Sequence, residues 1–157
     1  MTKIAFIVTC MLFSTTMAAR CHYRGPGGCQ AGWINFGESC YYVYDYPLYT
    51  FDDAERVCNG MGASLVIIND ADENLFLKAF TRHQRHIWIG VTDVEVEGVW
   101  VWVDGSPLTY SNWMPGEPNN AGKREHCAHL YSNQHGKWND YPCSTRFGFI
   151  CEKAAAQ

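Results

Sequence analysis

Residues 111–126 read SNWMPGEPNNAGKREH, and no helical or strand period runs through them. A stretch that long without regular patterning is unusual in a compact domain; it either carries function or is disordered. Trp113 and the cysteines on either side argue for order. Inside the stretch Glu117 and Asn119 flank Pro118, the one residue type that takes a cis peptide bond at modest cost. Two oxygen-bearing side chains held apart by a proline have no local explanation. They need a second motif, WND at 138–140, and cysteines to bring the two together.

Outward from this loop the chain is patterned. CYYVYDY (40–46) has the aromatic and β-branched content of a strand. TFDDAERVCNG (50–60) reads as a helix: Thr50 as cap, Asp52, Asp53 and Glu55 at its positive end, Gly60 as its stop. SLVIIN (64–69) is a short apolar strand. NDADENLFLKAFTRH (69–83) is a second helix, with Asn69 or Asp70 as cap, Glu73 in a capping box, and Leu75, Phe76, Ala79 and Phe80 as the apolar face. HIWIGV (86–91), VWVWV (99–103), CAHLY (127–131), GKWND (136–140) and FGFICE (147–152) read as strands around the long loop.

The first 19 residues stand apart. Lys3 precedes an apolar run from Ile4 to Phe13, and small residues end at Ala18 and Ala19. This is the pattern of a secretory signal peptide, cleaved after Ala18 or Ala19, and the run is too short for a permanent membrane anchor. Residues 20–28 form an N-terminal arm. Loss of Lys3 takes the formal net charge from −4 to −5, and no basic run is present, which argues against nucleic-acid binding. Secretion makes cysteine pairing the expectation. Of eight cysteines, Cys10 leaves with the leader. The seven that remain are odd in number, and spacing alone leaves their connectivity open.

The order of GW after Cys29, CYY, a first helix ending near Cys58, WIG at 88–90, EPN at 117–119, WND at 138–140 and a final FICE resembles the C-type lectin domain family. The resemblance places the domain at residues 29–154. It implies an α+β fold: two helices flanking small antiparallel sheets, a long calcium-binding loop region, and disulfide staples Cys29–Cys40, Cys58–Cys151 and Cys127–Cys143. Cys21 is then left unpaired or free to link two chains into a homo-oligomer.

The resemblance also implies a calcium ion to which a sugar binds directly. Its ligands would be Glu117, Asn119, Glu125, Asn139 and Asp140, with Pro118 cis. The donor chemistry is sensible in itself, since calcium takes six to eight hard oxygens from carboxylates, amides and water. Glu117 and Glu125 would accept from sugar hydroxyls, and Asn119 and Asn139 would donate. The acid–amide order of EPN resembles members that take adjacent equatorial hydroxyls, as in mannose, N-acetylglucosamine, glucose and fucose. Asp93, Glu97, Asn120 and Glu125 stand at family positions for a weaker second calcium site, but Asn120 and His126 replace carboxylates there.

Other chemistries fare worse. His126 and His129 flank Cys127, and a zinc reading is countered by strand alternation, which sends them to opposite faces; they read as loop or surface histidines. Trp100 and Trp102 read as core strand with one ring partly exposed. Glu117 and Glu125 as an acid–base pair for glycoside hydrolysis would need one carboxyl kept protonated, whereas both would be ionised on calcium, so no enzyme is expected. The expectation is a secreted calcium-dependent lectin of mannose type, in innate recognition of microbial glycans. The alternative is the same fold binding a protein, ice or mineral surface without sugar.

Overall fold

The computed structural model describes residues 28–81, 86–131 and 135–156, together with the backbone of two short strands, β1 (Val8–Thr9) and β2 (His22–Tyr23), paired antiparallel. The rest of residues 1–27, Cys21 among them, lies outside the described residues.

Local chemistry sets both helices. Helix α1 (Phe51–Gly60) starts where the Thr50 hydroxyl accepts the Asp53 N–H at 3.3 Å, with Asp52 and Asp53 in its first turn. It buries Phe51, Ala54 and Cys58, one face at helical spacing. The stop is not Gly60, which is the last helical residue; the left-handed position is Gly62, at φ 65°. Helix α2 (Ala71–Lys78) is capped by Asp70, whose carboxylate accepts the Glu73 N–H at 2.9 Å. Glu73 reaches back to the Asn69 N–H at 2.8 Å, completing a box shifted by one residue. This helix is shorter than expected and turned differently. Leu75 is 62% exposed, while Glu73, Asn74 and Leu77 are buried. The buried polar pair is satisfied from elsewhere: Tyr41 donates its hydroxyl to Glu73 at 2.6 Å, and Trp138 donates its indole N–H to Asn74 at 2.7 Å.

The other eight described strands form one sheet. In chain order they are β3 (Ile34–Phe36), β4 (Ser39–Tyr49), β5 (Ser64–Leu65), β6 (Ile87–Thr92), β7 (Val101–Trp102), β8 (Cys127–Leu130), β9 (Trp138–Tyr141) and β10 (Phe147–Ala154). The path is β3-β4-β10-β6-β8-β9, with β5 added on β10 and β7 on β6. The α+β class is as expected, and the antiparallel pairs are joined by one parallel pair, β6 with β10. Gly90 sits where β6 crosses the segment after α1: a Cβ there would lie 3.0 Å from the Leu65 carbonyl oxygen.

Two apolar clusters fill the interior. One gathers Val66, Ile68, Leu77, Ile89, Trp102 and Trp138; the other gathers Phe51, Leu65, Trp88 and Phe149 around Cys58–Cys151. That disulfide ties α1 to β10, Cys127–Cys143 ties β8 to the chain beyond β9, and Cys29–Cys40 closes the N-terminal hairpin. β9 is the edge strand on this side of the sheet, and it meets the long loop through a bridge between Trp113 and Trp138.

Candidate functional site

The long loop is ordered by the main chain of Trp138. The Trp138 N–H donates to the Asn112 carbonyl at 2.9 Å, and the Met114 N–H donates to the Trp138 carbonyl at 2.9 Å. Trp113 packs on Trp138 with ring centroids 5.6 Å apart. From that foothold the chain turns, with Glu117 N–H on the Met114 carbonyl at 3.0 Å, and passes through a cis Glu117–Pro118 bond. A second cis bond, Tyr46–Pro47, lies in β4 and had no sequence signal beyond the proline itself.

The EPN and WND motifs meet directly. Asp140, fully buried, accepts the Asn119 N–H at 3.1 Å and the Asn120 N–H at 2.7 Å. Glu125 accepts the Ala121 N–H at 2.9 Å, and its own N–H donates to the Asn120 amide oxygen at 2.9 Å. Each carboxylate is thus fixed by backbone donors, as ligand side chains must be if they are to keep one orientation. Glu117 is different. Its Oε2 is buried and has no hydrogen-bond partner among the described residues. Burial, then the closeness and negative charge of Asp140, and repulsion from Glu125, push the Glu117 carboxyl above its ordinary pKa.

A partnerless buried carboxylate oxygen beside two further carboxylates is a costly arrangement unless a cation stands among them. Three carboxylates and two amides are the hard-oxygen set that suits calcium. These residues fit the ion that the fold family implies.

Asn139 is oriented from behind. His129 Nδ1 lies 3.2 Å from the Leu130 carbonyl, which only accepts, so Nδ1 carries the hydrogen and Nε2 is the acceptor. The Asn139 NH2 faces that Nε2 at 3.4 Å and the Asp140 carbonyl at 2.5 Å. Its amide oxygen is therefore left for a cation. His129 corrects the reading of a surface histidine: it is 1% exposed, and burial lowers its pKa to about 3. The sequence could not reveal this, because the aromatic residues that enclose it, Trp88, Tyr131, Tyr141 and Phe147, come from four separate segments.

Since the folded pKa of His129 lies below that of the unfolded chain, the unfolded state binds the extra proton first. Stability contributed by the neutral ring is whole above pH 6.5 and falls as pH drops toward about 3. The slope is about 1.4 kcal/mol per pH unit inside that window. Urea midpoints between neutral pH and pH about 4 should therefore decline less steeply in His129→Phe than in the native chain; parallel declines would refute the assignment.

Beside the loop, Asp93, Glu97, Gly98, Trp100, Asn119 and Asp140 line a cavity of about 210 Å³. Trp100, read as core strand with one ring partly open, is the ring that faces this cavity, whereas Trp102 is 3% exposed. The residues assigned to a second calcium site are close together but arranged otherwise. Asn120 Nδ2 donates to Glu97 Oε2 at 2.7 Å, while its oxygen is committed to the Glu125 N–H. His126, read as a loop histidine, places Nδ1 3.0 Å from Asp93 Oδ1.

Comparison with known proteins agrees with this architecture. The family model described as "Lectin C-type domain" matches residues 48–153. A perlucin-like protein of Mytilus galloprovincialis is 33% identical over 96% of this chain and 98% of its own length. The carbohydrate-recognition domain of the mouse scavenger receptor C-type lectin is 40% identical, with a TM-score of 0.78 over 82% of this chain and 100% of that one. A calcium-independent type II antifreeze protein is 34% identical, with a TM-score of 0.75 over 82% of this chain and 95% of its own. The fold is that of the C-type lectin domain. The chain belongs to the C-type lectin domain family.

Proposed function

We propose that this protein is a secreted, calcium-dependent lectin that takes sugars with adjacent equatorial hydroxyls, of which mannose is the type. The observation that carries the reading is the buried, partnerless Glu117 Oε2 facing Asp140 and Glu125. Glu117, Asn119, Glu125, Asn139 and Asp140 would hold the ion. When bound, calcium would supply a Lewis-acidic centre for two adjacent sugar hydroxyls. The residues do the rest. Glu117 and Glu125 accept hydrogen bonds from the hydroxyls, and exposed Asn119 presents its NH2 as donor. The Asn139 NH2 is engaged by His129 and Asp140, so its donor role requires that contact to open.

The leader at 1–19, an arm at 20–28 and a domain at 29–154 complete the proposal, with Cys21 as a link between chains. Among the described residues no helix is long and apolar enough to cross a membrane. A single shallow site binds a monosaccharide weakly, so assembly through Cys21 would supply avidity toward microbial glycans.

The test is retention on mannose resin in calcium, with release by chelator and none by free galactose. Retention that ignores chelator would favour the second reading, a surface binder like the calcium-independent antifreeze relative. Swapping the acid and amide, Glu117→Gln with Asn119→Asp, should move preference from mannose toward galactose by about tenfold, one hydrogen-bonded contact's worth in binding. Competition by the two free sugars measures it, and an unaltered mannose preference would contradict the assigned roles.

A further inference from the structure

We infer that Asp93, Glu97 and His126 form a site for a divalent ion of the zinc class beside the proposed calcium site, whose Asn119 and Asp140 line the same cavity as Asp93 and Glu97. Asp93 and Glu97 share one loop, His126 lies 33 residues beyond Asp93, and folding gathers one ligand atom from each within 4.8 Å of one another. His126 Nδ1 lies 3.0 Å from Asp93 Oδ1 and 3.4 Å from Glu97 Oε2. Two ligand atoms each about 2.1 Å from a tetrahedral ion stand roughly 3.4 Å apart, so small adjustments seat a metal among these three.

The surroundings hold the ligands in place. Asp93 is 2% exposed, and its Oδ2 takes the Gly98 N–H at 2.8 Å, which leaves Oδ1 turned to the imidazole. The His126 carbonyl accepts from the Asp93 N–H at 3.2 Å and the Thr92 hydroxyl at 2.7 Å, fixing one segment against the other. Glu97 is the outer ligand, with its side chain 61% exposed, so an ion enters from solvent.

The donor set selects the ion. Calcium demands six or more oxygens, and an imidazole nitrogen is a poor one for it. Asn120 adds no oxygen to the cluster. Its oxygen is fixed on the Glu125 N–H, which only donates, so its NH2 must face Glu97. One imidazole and two carboxylates, with an open position for water, are the ligands of zinc and its neighbours.

Zinc titrated calorimetrically into the full chain at saturating calcium should bind with one equivalent that depends on His126. His126→Ala and Glu97→Gln should each weaken it at least about tenfold, since even outer partners of a metal ligand cost that much. Near-UV circular dichroism checks that both variants are folded, and the exposed Glu97 decides the matter should the other fail to fold. His126→Asp, which restores an all-oxygen set, should lose zinc and gain a second calcium equivalent. No zinc heat up to millimolar metal, or zinc binding unchanged in both single variants, would overturn the site. Zinc binding through His126 in a chain that fails to hold mannose would sink the lectin reading and leave this one standing.

Discussion

Asp140→Asn should fold normally and lose calcium-dependent retention on mannose, with calcium affinity lower by two to three decades. Asp140 is fully buried and holds the Asn119 and Asn120 N–H groups. The substitution keeps the shape and one accepting oxygen for those donors. It removes the charge that, with Glu117 and Glu125, makes the cluster attractive to a cation. Deleting one member of a buried charge pair costs about 3–5 kcal/mol, which as binding energy is the stated loss.

The sign of the stability change separates this account from simple damage. With calcium present, the native chain gains about 2.7 kcal/mol at a hundred times the dissociation constant, and the variant gains little. In chelator the order should level or reverse, because the native chain then holds Asp140 against Glu117 without a cation. Thermal melts of both chains in calcium and in chelator make four measurements. A native melting temperature indifferent to calcium would end the lectin proposal, whatever the variant did.

How much of this was legible in the sequence depends on how local the cause was. Thr50 and Asp70 cap their helices because a hydroxyl or carboxylate three residues before an N–H is a local geometry. Helix α2 is turned differently where tertiary partners rule: Glu73, which closes the capping box as expected, and Asn74 are drawn inside by hydrogen bonds from Tyr41 and Trp138. Leu75 was given up to solvent in exchange. The site followed the same division. The EPN and WND triplets announce themselves as motifs, and the structure joins them through Asp140. The resemblance set His126 at the same site as Asp93 and Glu97, but no local pattern does so, because Asp93 reaches it from 33 residues away through the pairing of β6 with β8.

Trp138→Ala should bring the chain close to unfolding and should cost calcium affinity as well. The side chain is fully buried and packs edge-on against Trp102, Tyr110 and Trp113 at centroid distances of 5.6–5.8 Å. Truncating a buried aromatic costs about 3–5 kcal/mol. The Asn74 oxygen, left without its indole donor, adds about 1–3 kcal/mol. Against a total of about 5–15 kcal/mol for a domain, that is most of the margin. Trp138→Phe keeps one aromatic ring and loses the N–H with part of the indole, so its urea midpoint should fall by less than that of Trp138→Ala. The functional consequence comes through position. Trp138 secures Asn112 and Met114 by main-chain bonds and Trp113 by ring contact, and Asn139 and Asp140 follow it directly in β9. A cavity here loosens the loop that carries Glu117 and the strand that carries Asp140 together. Calcium affinity in Trp138→Ala, measured where the variant is still folded, should therefore fall although no ligand has been touched. Unchanged affinity would mean that the three disulfides alone suffice to hold loop and strand in register.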